Sequence, residues 1–200
     1  KVGIPQECPV KACGRYYPER VDDVAWENDL TAFRAYGPAL QETGERAFGY
    51  DIWTKYNTTE PVVEARYEGE LNPDMKAKIA ELGKTDPKAA QELYRSVSYH
   101  VDHGNGLDCY KVGPTLGGGT TALMAGDTIV YPYCYATQEI LDNGPLRFTV
   151  KLVYNPLVVK GDSTIIETRI ITLDAGSYCN KTVVSYTNLK ETMPLAVGIV

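Results

Sequence analysis

The sequence predicts a mainly β protein, an antiparallel β-sandwich carrying a short two-helix insertion near residues 72–97. Three observations lead there. After about residue 107, runs rich in β-branched and aromatic residues are separated by Asn143-Gly144-Pro145, Gly161-Asp162 and Ala175-Gly176, the punctuation of successive strands. Phe148, Val150, Leu152 and Tyr154 alternate with Arg147, Thr149 and Lys151, which puts one face in a core and the other in water. Clear helical spacing is confined to residues 72–97.

In chain order, residues 1–19 carry Pro5, Pro9, Gly14 and Pro18, punctuation dense enough to predict an irregular loop. Residues 26–36 read as a strand with Trp26, Asn28, Leu30, Ala32, Arg34 and Tyr36 on one face, or as a helix with Trp26, Leu30 and Phe33 on one stripe. The strand is preferred because Gly37-Pro38 stops it and no helical period follows. Asn72 can cap a first helix, with Pro73 in its first turn and Met75, Ile79 and Leu82 at helical spacing until Gly83. Asp86 can cap a second, with Pro87 first and Ala90, Leu93, Tyr94 and Val97 as its apolar face. Strands are expected at 128–135, 146–154, 163–173, 177–187 and 194–200. Gly117-Gly118-Gly119-Thr120-Thr121 lacks the lysine ending of a phosphate loop and precedes no helix, so it reads as a loop or tight turn.

With 200 residues, 44% hydrophobic and 23% charged, the chain is long enough for one domain with a real core, and disordered, collagenous and coiled-coil classes are excluded. Residues 1–200 are expected to be that single domain. The balance of 20 basic against 26 acidic residues, net −6, argues against nucleic acid or an anionic membrane surface as partner. No apolar run approaches the roughly 18 residues of a membrane span. The five cysteines form no zinc spacing. Most read as small buried hydrophobes, with Cys8 and Cys13 the only candidates for a disulfide. A start at Lys1 and an apolar finish at 194–200 suggest a segment of a longer protein. Fifteen tyrosines suit a sugar-binding cleft, and equally a sandwich rim. Asn57-Thr58-Thr59 and Asn180-Lys181-Thr182 match the glycosylation pattern, which is common by chance.

Two clusters could carry chemistry. Residues 99–110 hold both histidines, His100 and His103, with Asp102, Gly104, Gly106, Asp108 and Tyr110. In an extended segment His100 and Asp102 point the same way, so the carboxylate can orient the imidazole as general base or acid. Asp108 and Tyr110 would share one face of the next strand and hold substrate or share proton transfer. The competing reading is a capped loop whose acids satisfy backbone amides. No cofactor is expected; a divalent metal on His100, Asp102 and Asp108 is the alternative, though the spacing matches neither an EF-hand nor HExxH. The second cluster, residues 19–29, surrounds Trp26 with Glu27 and Asn28, so an indole stacking on a sugar face could have polar groups beside it for hydroxyls. Arg20 and Arg34 offer forks for a carboxylate such as that of a uronic acid. A solvated acidic strand with paired arginines is the simpler alternative.

Glu19-Arg20-x-Asp22-Asp23-x-Ala25-Trp26-Glu27-Asn28-Asp29, Ala32-Phe33-Arg34-x-Tyr36-Gly37-Pro38-Ala39-Leu40 and His100-x-Asp102-x-Gly104-x-Gly106-x-Asp108-x-Tyr110-x-Val112-Gly113-x-Thr115-Leu116-Gly117 together resemble domain of unknown function 4861. That resemblance runs over residues 15–200 and implies a bacterial protein, many such coming from gut Bacteroidetes, in loci that degrade acidic polysaccharides, with a periplasmic or secreted location. The later half, with Leu146-Arg147-Phe148-x-Val150-x-Leu152-x-Tyr154 and Glu167-x-Arg169-Ile170-x-Thr172-Leu173-x-Ala175-Gly176, looks like the supersandwich of galactose mutarotase-like proteins and polysaccharide lyases. Sugar binding on the concave sheet is what that likeness implies, and fold analogy alone does not fix the chemistry. The expected function is therefore processing of uronic-acid-containing oligosaccharides or polysaccharides by a lyase or hydrolase, with an acidic glycan as partner. A noncatalytic glycan-binding module or a mutarotase-type epimerase is the alternative. The lyase would use arginine to neutralise the acid and His100 or Tyr110 to move the proton, with Trp26 and Tyr36 as stacking platform. The hydrolase would pair Glu27 with Asp108, and the epimerase His100 with Glu27.

Overall fold

A computed structural model describes residues 7–56 and 60–200; the 57–59 glycosylation pattern and residues 1–6 of the expected loop lie outside them. The first sheet is an antiparallel meander of five strands in sequence order, β1 (Ala12–Tyr17), β2 (Asp23–Asn28), β3 (Thr31–Ala35), β4 (Asp51–Lys55) and β5 (Gly106–Asp108). Helix α1 (Pro38–Glu42) joins β3 to β4, and α2 (Val62–Glu70), α3 (Pro73–Thr85) and α4 (Pro87–Val97) join β4 to β5. Next come β6 (Gly118–Ala125), β7 (Thr128–Val130), β8 (Tyr135–Gly144), β9 (Arg147–Tyr154), β10 (Leu157–Val159), β11 (Asp162–Asp174), β12 (Lys181–Thr187) and β13 (Leu195–Ile199). One sheet runs β10-β11-β9-β8 with β12 also on β11, and another runs β13-β6-β7.

The protein is mainly β and the strands pair antiparallel, as the alternation in β9 requires. Val24, Trp26, Phe33 and Ala35 of the first sheet pack against Phe148, Val150, Leu152, Ile171 and Leu173 of β9 and β11. Trp26 joins the two layers, with its ring stacked 5.9 Å from Phe33 and 6.4 Å from Phe148 and its Nε1 donating to Asn180 Oδ1 at 2.9 Å. The opposite face of the same sheet presents Tyr17, Ala25, Ala32 and Trp53 to Val63 and Tyr67 of α2 and to Tyr99. The first sheet is thus covered on both sides, and every residue of β2 and β3 is buried. Between the layers, the Glu167-x-Arg169 motif of β11 forms a fully buried ion pair, with the Arg169 guanidinium 4.4 Å from the Tyr154 ring centre.

Several expectations are corrected. The N-terminal loop contains β1, which pairs with β2 without a break from Ala12↔Asn28 to Tyr17↔Asp23. The strand expected at 26–36 is a hairpin. Asn28 Oδ1 accepts from the amides of Leu30 and Thr31, both at 2.9 Å, and an Asx turn of this kind offers the backbone an alternative to the ladder. Helix α2 was not foreseen; its buried Val62, Val63 and Tyr67 are too few to raise a periodic signal. Asn72 and Asp86 do cap α3 and α4, accepting from Met75 N and Ala89 N at 3.0 Å, but α3 runs past Gly83 to Thr85. The strand expected at 128–135 ends at Val130, and β8 starts a new one at Tyr135. All five cysteines are free thiols: only Cys134 is buried, while Cys8, Cys109 and Cys179 are exposed. Among the described residues no helix is long and apolar enough to cross a membrane.

Trp26→Ala is expected to lower the unfolding free energy by about 3–5 kcal/mol, the usual cost of deleting a buried aromatic. Urea denaturation measures this directly, and a loss below about 1 kcal/mol would show that Trp26 does not join the layers.

Candidate functional site

The helix-covered face of the first sheet carries two buried charge clusters, the Glu27–Lys55 pair at the start of α2 and a larger one around Arg34. Arg34 points into it from β3, and Asp23 of β2, Asp51 of β4 and Asp108 of β5 converge on it. Cross-strand register explains the meeting: Arg34 lies opposite Asp51, and Trp53, two residues along β4, lies opposite Asp108. The Arg34 Nη2 group donates to Asp51 Oδ2, to Asp108 Oδ2 at 2.8 Å and to the Tyr36 hydroxyl at 3.2 Å, while Nη1 donates to the Tyr67 hydroxyl at 3.1 Å. Asp23 Oδ2 stands 3.9 Å from Nε. The rings of Tyr36, Trp53 and Tyr99 lie 4.9, 5.5 and 5.6 Å from the guanidinium carbon, an arrangement that favours a cation.

Burial alone would ease the proton off Arg34, but the surrounding tyrosines and aspartates hold its pKa well above the usual value. The carboxyls feel the opposite balance. Burial pushes Asp23 up to about 7 against the pull of Arg34 and Arg20. It pushes Asp108 up to about 6, with Asp51 adding to the rise and Arg34 and His100 opposing it.

Beside this cluster lies a cleft of about 470 Å³ lined by Arg20, Arg34, Tyr36, Tyr99, His100, Asp108 and Tyr110, with Glu45, Arg46 and Lys111 also on its wall. That volume falls within the range of about 300–1,000 Å³ typical of small-molecule sites. His100 Nδ1 is 3.1 Å from the backbone carbonyl of Asp108 and 3.7 Å from its Oδ2. A carbonyl only accepts, so Nδ1 carries a hydrogen, and in the neutral imidazole the lone pair is then on Nε2. The imidazole is 56% exposed, which leaves Nε2 open to the cleft. His103 is spent differently, its Nε2 donating to the Ser98 carbonyl at 3.0 Å and pinning the turn. Gly106 begins β5 at φ +126°, where a Cβ would meet the Thr54 carbonyl at 2.0 Å, so only glycine fits.

Arg20 reaches the cleft from a strained segment. Val21 and Asp22 follow it with φ of 45° and 64°, left-handed values that are rare for a β-branched residue. Tyr16 Oη donates to Asp22 Oδ1, Tyr135 Oη donates to the Asp22 carbonyl, and Leu40 N donates to the Val21 carbonyl at 3.3 Å. The side chain that emerges donates from Nη2 to the Tyr99 hydroxyl at 3.0 Å and sits 4.0 Å from Asp23.

Among the residues singled out from sequence, Arg20, Arg34, Tyr36, His100, Asp108 and Tyr110 thus meet in one cleft; the others do not. Trp26 is 0% exposed and has no face to offer a sugar. Asn28 closes the hairpin turn, and its Nδ2 donates to the carbonyls of Asp174 and Ser177, both at 2.7 Å. Glu27 accepts from the amides of Val62 and Val63 at 2.8 and 3.0 Å and from Lys55 Nζ at 2.6 Å, so it caps α2 and lines a different pocket, with Cys13 and Glu64. Asp102 accepts from Gly104 N at 2.8 Å and Tyr56 Oη at 3.0 Å. The segment after α4 turns instead of extending, so the carboxylate beside His100 is Asp108. Asp23, Asp51, Tyr67 and Tyr99 were not singled out as site residues. The Asp51-x-Trp53 alternation was the one signal that could have found Asp51, since an acid on the face of a buried tryptophan needs a partner. Among the described residues no group of three or more His, Cys, Asp and Glu could hold a metal ion.

A family model described as a domain of unknown function (DUF4861) matches residues 5–200. A relative from Formosa agariphila, "Uncharacterized protein P7", is 29% identical over 182 residues, covering 88% of this chain and 40% of its own length. The chain therefore spans less than half of that curated relative. No solved structure matches.

The raised carboxyls set a pH dependence of stability. Unfolded aspartate titrates near 3.9, so the contributions of Asp108 and Asp23 are fully present below that value and are lost as pH rises through about 6 and about 7. Urea melts across this range are expected to show stability falling with pH, Asp108→Asn flattening the lower part and Asp23→Asn the upper. A wild-type profile that is flat or rising there contradicts the assignment.

Proposed function

Because this chain belongs to the DUF4861 family, whose name specifies no reaction, its activity has to be argued from the cleft, and we propose that it processes uronic-acid-containing oligosaccharides by lyase chemistry. The observation that carries this is His100: its Nδ1 is tied to the Asp108 carbonyl while Nε2 is free, in a cleft that also holds Arg20 and Tyr110. Beta-elimination needs a cation to steady the uronate carboxylate, a base for the proton on the carbon next to it, and an acid for the departing glycosidic oxygen. Arg20 supplies the first. His100 Nε2 takes the proton, the electron pair forms a carbon–carbon double bond, and the C–O bond to the leaving sugar breaks. The leaving oxygen receives its proton from the Tyr110 hydroxyl, which gives up its bond to the Val200 carbonyl to do so. The proton that His100 has taken returns to Tyr110 at the end of the cycle, so the step consumes no water and needs no oxidant. Asp108 is a positioning residue, holding the imidazole by its backbone while its side chain is held by Arg34 at 2.8 Å.

The hydrolase and epimerase readings drew their pairs from the sequence with Glu27 as a member, and its bonds to α2 and Lys55 at a distance from this cleft favour the lyase over both. A periplasmic or secreted location accords with a polymeric acidic glycan as substrate, and we extend the proposal to it.

With the full-length protein and a panel of uronic oligosaccharides, the expected product is an unsaturated uronate detected by ultraviolet absorbance. His100→Ala should lower its formation by about 10²–10⁴-fold while leaving oligosaccharide affinity nearly unchanged. New reducing ends without the absorbance would replace the lyase by a hydrolase, and binding with no product from any member would leave a noncatalytic glycan module.

A further inference from the structure

Cations on the surface of this acidic chain often come with a partner. Arg147, Lys160 and Lys190 each hold a carboxylate, at 2.6, 2.6 and 2.7 Å. Within the cleft, Arg34 is taken up by Asp51 and Asp108, and Arg20 stands 4.0 Å from Asp23. Arg46 and Lys111 line the same cleft, and among the described residues neither has a carboxylate within 4.0 Å.

Arg46 is nevertheless held in place. Its Nη1 donates to the carbonyls of Gln41 and Glu45 at 3.2 and 3.1 Å, and its guanidinium carbon lies 4.9 Å from the centre of the Tyr133 ring. Tyr133 is fixed in turn by its hydroxyl, which donates to the Gln41 carbonyl at 3.0 Å, and Gln41 is anchored through Nε2 to the Ala47 carbonyl at 3.1 Å. Both bonds come from Nη1, and among the described residues Nε and Nη2 have no hydrogen-bond partner. Ordering a long cationic side chain costs conformational entropy, and one ordered beforehand without a counter-charge is suited to an incoming anion. Lys111 adds a compact, mobile charge on the same wall.

We propose that Arg46 and Lys111 form a second anion subsite in this cleft, so that the ligand is an oligosaccharide bearing carboxylates on at least two neighbouring residues. The inference rests on the reading that Arg20 and His100 engage an acidic sugar, and it adds that a single uronic acid fills only part of the site. The two subsites act on one ligand, so the gain from the second is an effective-concentration gain, lost when either the second carboxylate or its cations are removed.

Calorimetric titration of the full-length protein with glucuronate, galacturonate and mannuronate, with their trimers, and with trimers whose carboxyls have been reduced to alcohols tests this. The trimer with the matching stereochemistry is expected to bind at least about tenfold more tightly than its monomer and than its reduced form. Arg46→Ala with Lys111→Ala should remove that advantage, leave monomer binding unchanged and reduce the dependence of trimer affinity on salt. Both side chains are exposed, so an unchanged melting temperature is expected to accompany the loss. Equal affinity of monomer and trimer, or a trimer advantage that survives the double substitution, overturns the second subsite while leaving the acidic-sugar reading intact. Failure of every uronate to bind the wild type overturns both.

Discussion

A guanidinium buried under a helix is the constraint on which the first sheet is built. Arg34 cannot leave water without counter-charge, because an isolated buried ion costs several kcal/mol even after relaxation. The chain meets the requirement with one aspartate from each of three other strands and with the hydroxyls of Tyr36 and Tyr67. The ion pairs therefore tie β2, β3, β4 and β5 together on the face where no second sheet lies. Three carboxyls around one full positive charge leave an excess of negative charge, and the upward pull on Asp23 and Asp108 follows from that excess as well as from burial. The proton-holding character of the site is thus a product of the same packing that makes the sheet cohere.

Division of labour between the two faces of that sheet decides what is structural and what is chemical. The face with Trp26 and Phe33 meets β9 and β11 and is apolar. The face with Trp53 meets α2 and Tyr99 and carries the charges. Since side chains alternate along a strand, neighbours in sequence have separate fates: Trp26 goes to the core, Glu27 to the start of α2, and Asn28 to the turn. Glu27 and Lys55 repeat the logic of Arg34 on a smaller scale, a buried pair at 2.6 Å that also satisfies two helix amides.

In the later sheets β9 was legible because it is buried on one side and wet on the other, so a period of two survives, whereas β8 and β6, which begins inside the Gly117–Thr121 run read as a loop, were not. The helical hairpin was legible because Asn72-Pro73 and Asp86-Pro87 write its starts explicitly. The first sheet was not. With both faces covered, β2 and β3 lose their polar alternation, and acids such as Asp23 look like surface residues until the arginine that holds them is seen. The site was read in part for a related reason. His100, Asp108 and Tyr110 are close in sequence and stay close in space, whereas Asp51 and Arg46 come from segments that only the meander brings near. Asp102 misled because an extended segment was assumed where the backbone turns, and Trp26 misled because a tryptophan among acids looks exposed whether or not its own side of the strand is wet.

Strand β5 is only three residues long and lies at the edge of its sheet, paired to β4 alone. A strand of that length at an edge would ordinarily fray. Here its opening would break the ion pair from Arg34 to Asp108 at 2.8 Å and the bond from the Asp108 amide to the Tyr99 carbonyl, also at 2.8 Å. The edge is thereby latched electrostatically, and the latch and the imidazole share one residue. Local breathing of the sheet margin and misplacement of the histidine are consequently a single event: the protein cannot loosen this border without also disarming the group that faces the cleft.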